Sequence, residues 1–498
     1  MALTEEDLSK IIEEGIDPDN PGKYADLLNE LQGNILKSHG RDHAVHLFLK
    51  FTALAQEAKE WLQTFAQAYV TSAAKQAQQT KSYKRSKKLG VKASSTTTTF
   101  VNLFLSRKGY QYLDTGFKVP RDDFFKYGMK AKEVKDYLGD VSHKEWDQGL
   151  QDEIHALILI ADDDSERLKT LVEELTPCLS SVAEIVQQET GFILRNDSDQ
   201  VIEHFGFADG VSQPLFMKSD VDKAKDKDDF DQWDPRAPLN VVLAKDPNGK
   251  TEDSYGSYLV YRKLEQDVEA FRAAEAKLAA KLGIDSELAG AYIVGRFKDG
   301  TPVTLSEQPT ETTTNNFNYN NDPTNFGLDP KPSKCPFHAH IRKTNPRGDT
   351  SRVHSAPHPE TELERERGHR IARRGISYGE QDPNLAPKTG SGLLFLCFQG
   401  EIVGQFAFIQ NAWANENKFV KVNVGNDPII GVTGDGEADP AIAGNRQWLK
   451  KWGETDSEAE RDLLEPEPPF KVWIHLKGGE FFFAPSMSFL TNLLSEEC

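Results

Sequence analysis

Two short stretches of this sequence gather the side chains best suited to chemistry. The first opens with Cys335-Pro336-Phe337-His338-Ala339-His340-Ile341-Arg342 and closes on Ile371-Ala372-Arg373-Arg374-Gly375-Ile376-Ser377-Tyr378-Gly379. A neutral imidazole is a good metal ligand, and arginines set among apolar residues demand an anion or a site rich in acceptors. The second stretch lies upstream, at Gly206-Phe207-Ala208-Asp209-Gly210-Val211-Ser212-Gln213-Pro214. An aspartate between closely spaced glycines predicts a tight turn that aims one carboxylate while the backbone approaches a ligand. The plainer use of Asp-Gly is a capped turn.

Taken together, these stretches resemble the dye-decolorizing peroxidases, a family of haem b enzymes. Gly206, Asp209 and Gly210 complete the family's Gly-x-x-Asp-Gly signature. His340, in His-Ile-Arg, matches the iron-ligating histidine, and Arg373, in Arg-Arg-Gly-x-x-Tyr-Gly, matches the distal arginine. Leu31 to Arg41 looks like the N-terminal segment of the longer bacterial members. The resemblance implies an α+β fold of two ferredoxin-like units packed together, with haem in the C-terminal half.

It also implies that hydrogen peroxide oxidises phenols, dyes and similar aromatic donors in one-electron steps. Asp209 would move the peroxide proton and Arg373 would steady the developing charge. Arg374 is the alternative cation, since neighbours on a strand face opposite ways. His340 would be the axial iron ligand, and its second ring nitrogen calls for a carboxylate. Asp427 is nominated, with Asp439 as rival. Arg342 and Arg347, with the backbone of Val211, Ser212 and Gln213, are the candidates for holding the haem propionates. Leu393 and Phe395 sit two apart on an expected strand, share a face, and either line the pocket or belong to ordinary core. An aspartate base stays ionised where a histidine would be protonated, so turnover is expected to favour acid. Trp413, or else Tyr378, is the candidate for passing electrons from bulky dyes.

Two readings compete. Cys335, His338, His340, His354 and His358 could form a zinc cluster, although Cys-x2-His-x-His is not a usual zinc spacing. A haem carrier without turnover would need the ligand but not the paired Asp209 and Arg373. One departure from the family pattern is the long interval between His340 and Arg373, which alters any access channel.

At 498 residues, with 38% hydrophobic residues and 28 Phe, the chain can bury a large core. A net charge of −19 argues against nucleic acid and anionic membranes as partners and leaves homo-oligomerisation open. The four cysteines, Cys178, Cys335, Cys397 and Cys498, are scattered as in a reducing compartment. The acidic N-terminus lacks an apolar signal core, and no run approaches the roughly 20 apolar residues of a membrane span, so a cytoplasmic protein is expected.

The elements that must position the site follow from periodicity. Val45, Leu47, Leu49 and Phe51 alternate like a half-buried strand, and Trp61 to Tyr69 has helical spacing. Lys81 to Lys92 reads as a solvated loop. Strands are expected over 96–105, 154–160, 257–264 and 392–398, a helix over 266–282, and a final strand pair over 472–483. The charged stretch 218–254 reads as an acidic linker between an N-terminal domain (1–217) and a C-terminal haem-binding domain (255–498).

Overall fold

The computed structural model describes residues 2–88, 98–114, 116–319, 332–351, 359–421, 424–432, 446–449, 451–453 and 472–494. Eight strands form its frame: β1 (His43–Phe51), β2 (Phe100–Ser106), β3 (Ala156–Asp162), β4 (Ala183–Phe192), β5 (Tyr255–Gln266), β6 (Ile376–Tyr378), β7 (Gly392–Gln399) and β8 (Ile474–Ala484). They are bonded in the order β5-β8-β2-β3-β1-β4-β6-β7, and β7 pairs again with β5, so the sheet closes on itself. Within each half the order is fourth, first, third, second: β4-β1-β3-β2 in one and β8-β5-β7-β6 in the other. The chain is therefore two ferredoxin-like units that complete one α+β barrel.

Pairing is long inside each unit and short between them. β5 and β7 stay in register from Gly392 opposite Glu265 to Gln399 opposite Tyr258. The seams between units are Phe482 opposite Ser106 and Phe483 opposite Leu105 on one side, and Ser377 opposite Phe192 on the other. What joins the halves is the filled interior. Phe48 meets Tyr261 at 4.8 Å and Phe482 at 6.4 Å between ring centroids, and Phe104 meets Phe398 at 5.9 Å. Each pair takes one ring from each unit, an edge-on or tilted contact that adds to simple burial.

This closure corrects the expectation for β1, which is buried on both faces. Ala44 and Phe48 point inward, while Val45, Leu47, Leu49 and Phe51 pack outward under two helices, α1 (Ala55–Tyr69) and α2 (Ser165–Leu179). Lys81 to Lys88 is not a loop but the end of a helix, Ala73–Lys88. Lys, Gln, Arg and Ala are good helix formers without any apolar stripe, and Gln76 ties this helix to the 34–38 segment through Asn34 N, Lys37 O and Ser38 O.

Part of the acidic stretch is likewise ordered: Lys218–Lys225 is helical, and Leu239, Val241 and Val242 are buried with the barrel interior. The expected final strand pair is the single long strand β8. Behind β5, helix α3 (Val268–Leu282) is capped by the Asp267 side chain on Ala270 N, and α4 (Ser286–Val294) by Asp285 on Glu287 N. Among the described residues no helix is long and apolar enough to cross a membrane.

Candidate active site

The sheet face that carries helices in the first unit opens into a cavity in the second. On β5 and β7 the odd-numbered Tyr261 and the even-numbered Leu394 and Leu396 fill the barrel. Their neighbours Arg262, Leu264, Gln266, Leu393 and Phe395 face the other way and line a cavity of about 470 Å³. That volume lies within the roughly 300–1,000 Å³ usual for ligand and cofactor sites. Leu393 and Phe395 do share a face, as their spacing requires.

His340 begins a short helix, His340–Thr344, at the cavity wall. Its Nδ1 donates to Asp427 Oδ2 at 2.7 Å. Asp427 is fully buried, and its other oxygen accepts from Ile429 N at 2.7 Å and Ile430 N at 3.1 Å. Burial alone would raise this carboxyl, but the His340 ring and the two amides bring it below the ordinary range. The carboxylate therefore stays charged and fixes the proton on Nδ1, leaving Nε2 as a lone-pair donor. Asp427 is held in turn by a backbone bond from its N to Ala414 O at 2.8 Å. Ala414 ends a helical stretch wound with wide turns: Ala407 N and Asn415 N each bond the carbonyl five residues back. Such π turns recur at functional sites, and this one also brings Ile409 and Gln410 to the cavity. Asp439 lies outside the described residues.

The Gly206–Pro214 loop reaches the same cavity. Gly206 (φ 97°) and Gly210 (φ 71°) both take the left-handed conformation that side chains resist. Glu203 shapes the loop from within, accepting from Phe205 N at 2.9 Å, Phe207 N at 3.0 Å and Gln266 Nε2 at 2.6 Å. Burial pushes Glu203 up to about 7 against these bonds. Asp209 Oδ1 lies 3.5 Å from Arg373 Nη1. Arg373 is wired to the loop at two further points: Gln213 Oε1 accepts from its backbone N at 3.0 Å, and Ser212 O accepts from Nη2 at 3.2 Å. Arg374 points the opposite way and donates to Asn34 O and Ile35 O, pinning the N-terminal segment.

Arg342 is not at the cavity, contrary to expectation. It is buried against Asp349, donates to Cys335 O, and lies over the rings of Tyr319 and Phe337. Arg347 does line the cavity, as do Val211, Ser212 and Gln213. Sequence reasoning missed Arg296, Arg370 and Trp233, which line it too. Arg370, three residues before Arg373, had a signal in its position; Arg296 and Trp233 had none.

Trp413 is 4% exposed, stacked on Phe419 at 5.3 Å, and Tyr378 is 7% exposed, so neither candidate for passing electrons from dyes reaches solvent. Trp413 closes a hydrophobic cluster one helical turn beyond Ile409. Among the described residues no group of three His, Cys, Asp or Glu is placed to hold a metal ion. His354 and His358 lie outside those residues.

Comparison with known proteins decides the family. The model of the DyP dimeric α+β barrel domain matches residues 30–193, and that of the Dyp-type peroxidase C-terminal domain matches residues 205–421. The chain belongs to the dye-decolorizing peroxidase family. The multifunctional dye peroxidase DyP2 of Amycolatopsis sp. is 38% identical over 95% of this chain and 97% of its own length. Peroxidase 2 of Mycetinis scorodonius is 30% identical over 80% of this chain and 77% of its own. The crystal structure of an Anabaena sp. DyP-type peroxidase superposes with a TM-score of 0.90 at 53% identity, covering 99% of this chain and all of that one.

Family membership makes the chain a peroxidase and implies a haem cofactor. The dye-decolorizing peroxidase site fits that group on its own evidence. An imidazole nitrogen is free at a largely apolar cavity, and Arg347 Nε is buried at its wall with no hydrogen-bond partner among the described residues. A buried cationic donor left open in this way calls for an anionic group.

Proposed function

We propose that His340 would ligate the iron of haem b and that Asp209 and Arg373 are the acid–base and charge-stabilising groups of peroxide reduction. The observation that carries the reading is the convergence of the His340–Asp427 and Asp209–Arg373 pairs on one apolar cavity. The haem supplies the iron at which the peroxide O–O bond is broken and through which donors are oxidised one electron at a time. Asp209 takes the proton from the inner peroxide oxygen and delivers it to the outer one, which leaves as water. Arg373 stabilises the negative charge that builds on the separating oxygens, where the apolar walls strengthen its field. Asp427 keeps the His340 proton on Nδ1 and makes the ring a stronger donor. Arg347, with Ser212 and Gln213, receives the propionates; Leu393 and Phe395 keep water and bulky donors out.

The donors are phenols, dyes and similar aromatics. The protein resides in the cytoplasm, in keeping with unpaired Cys178, Cys335 and Cys397, and self-associates, in keeping with the relatives' dimeric domain. The division 1–217, 218–254 and 255–498 approximates the two barrel halves. A haem carrier would have no use for the Asp209–Arg373 pair. The test is the visible spectrum of the purified protein together with peroxide-dependent oxidation of an anthraquinone dye and a phenol. A Soret band and both activities are expected; haem without turnover would favour the carrier.

Turnover is fastest in acid. An ordinary carboxylic acid has a pKa of about 4, below that of a histidine, and Glu203, raised from 4.5 to about 7 by burial, adds a stability effect of the same sign. A carboxyl whose folded pKa is raised holds its proton more tightly when folded, so its contribution is present at low pH and lost as pH climbs from about 4.5 through 7. That shift is worth at most roughly 3 kcal/mol. Buried Lys343, pushed down to about 7, works in the opposite sense, so the readout is the Tm difference between Glu203→Gln and wild type. The variant gains relative to wild type as pH rises from 5 to 8. A flat difference, or an optimum of turnover at pH 8 with every donor, contradicts the assignment.

Bulky dyes bind outside the cavity, and their electrons pass through Trp413, which is buried and so acts as a relay behind the protein surface. Trp413→Phe keeps the reaction with peroxide and phenol turnover but loses most dye turnover. Equal loss for both donors removes Trp413 from the path.

A further inference from the structure

Trp233, Arg347 and Arg370 form a stack in the cavity wall. The guanidinium carbons of Arg347 and Arg370 lie 4.1 and 4.3 Å from the Trp233 ring centroid. Both guanidiniums therefore lie directly against the indole. The stack continues, with Arg347 4.0 Å from the Phe317 ring and Arg296 5.2 Å from it. Trp233 is buried, and its Nε1 has no hydrogen-bond partner among the described residues.

Trp413 stands in different company. Its neighbours are the rings of Phe408 at 5.4 Å, Phe419 at 5.3 Å and His369 at 5.3 Å. Burial holds His369 below its ordinary pKa, so that ring is uncharged near neutrality.

We propose that Trp233 is kept redox-silent by the two guanidiniums, so that its side of the cavity insulates and oxidising equivalents leave through Trp413 instead. The inference rests on the haem reading above. Oxidising an indole removes one electron and leaves a ring cation, which then releases its N–H proton to an acceptor. At Trp233 both halves of that step are opposed. The guanidiniums about 4 Å away repel the ring cation, Arg370 above all because no propionate is assigned to it, and strongly so in a medium of lower dielectric than water. Among the described residues the proton on Nε1 has no acceptor. Cations this close to the ring favour its neutral, electron-rich form by the same electrostatics. A tryptophan beside the cofactor would otherwise be the first residue damaged whenever peroxide arrives without a donor.

The test is made on haem-loaded enzyme with an intact Soret band, treated with excess hydrogen peroxide without donor and mapped for tryptophan oxygenation by peptide mass spectrometry. In wild type, Trp413 is modified and Trp233 is modified at least about tenfold less. Arg370→Gln raises Trp233 modification about tenfold or more, whereas Arg370→Lys, which keeps the charge, leaves it low. Wild-type Trp233 oxidised as heavily as Trp413, or Trp413 left intact, overturns the proposal without any variant. So does an unmodified Trp233 in Arg370→Gln. A lysine variant as oxidised as the glutamine one assigns the protection to packing and also overturns it. Failure of the haem reading is distinct, since the Soret band would then be missing from the start.

Discussion

Replacing His340 by alanine abolishes the Soret band of the purified protein or leaves only weakly held haem. No other imidazole among the cavity-lining residues is backed by a buried carboxylate; His475 lies at the wall without one. Asp427→Asn is the informative companion. It keeps the shape of the buried carboxyl but removes the charge that fixes the His340 proton on Nδ1. Loss of such an outer partner typically costs about 10- to 100-fold in metal affinity or activity, so this variant retains haem and reacts more slowly with peroxide. Full haem content in His340→Ala, measured by pyridine haemochrome, would falsify the ligand assignment. A wild-type protein that binds zinc stoichiometrically and no haem would return the zinc reading.

Asp209→Asn and Arg373→Leu bind haem normally and slow the reaction with hydrogen peroxide, each by roughly 10²-fold or more. Neither side chain contacts His340 among the described interactions, so haem retention separates their role from that of the ligand. The 3.5 Å ion pair couples them, and the losses will not simply add. Arg373 also donates to Ser212 O, so Arg373→Leu loosens the loop that carries Asp209 as well as removing a charge. Arg373→Lys distinguishes the two effects, since it restores charge without the two-point geometry. Stopped-flow mixing that finds unchanged peroxide rates in both single variants removes both residues from the chemistry.

What could be read in the sequence was whatever chemistry forces into a fixed order of residue types. The left-handed turns at Gly206 and Gly210, with Asp209 between them, are a local requirement and therefore a local signal. The alternation of Leu393 and Phe395 and the opposed directions of Arg373 and Arg374 followed from the strand repeat. Arg342 was misplaced because nearness along the chain was taken for nearness at the site. Two residues along a helix is a rotation of roughly 200°, so a residue two beyond His340 faces the protein rather than the cavity. Trp233 and Arg296 arrive from distant segments, and their stacking with Arg347 and Arg370 exists only once the chain has folded. The half-buried reading of β1 failed for a similar reason: alternation reports one apolar face, while closure of the barrel decides whether the other face meets water.

The two barrel units carry unequal burdens under mutation. In the first unit the outer sheet face is filled by side chains of α1 and α2, so substitutions there act on stability and leave the chemistry alone. In the second the corresponding face is hollow, and Leu264, Leu393 and Phe395 serve at once as sheet residues and as cavity wall. Variation in donor preference is therefore concentrated on the hollow sheet face and the loops that close it, and the filled face of the first unit supplies the stability reserve that lets them change.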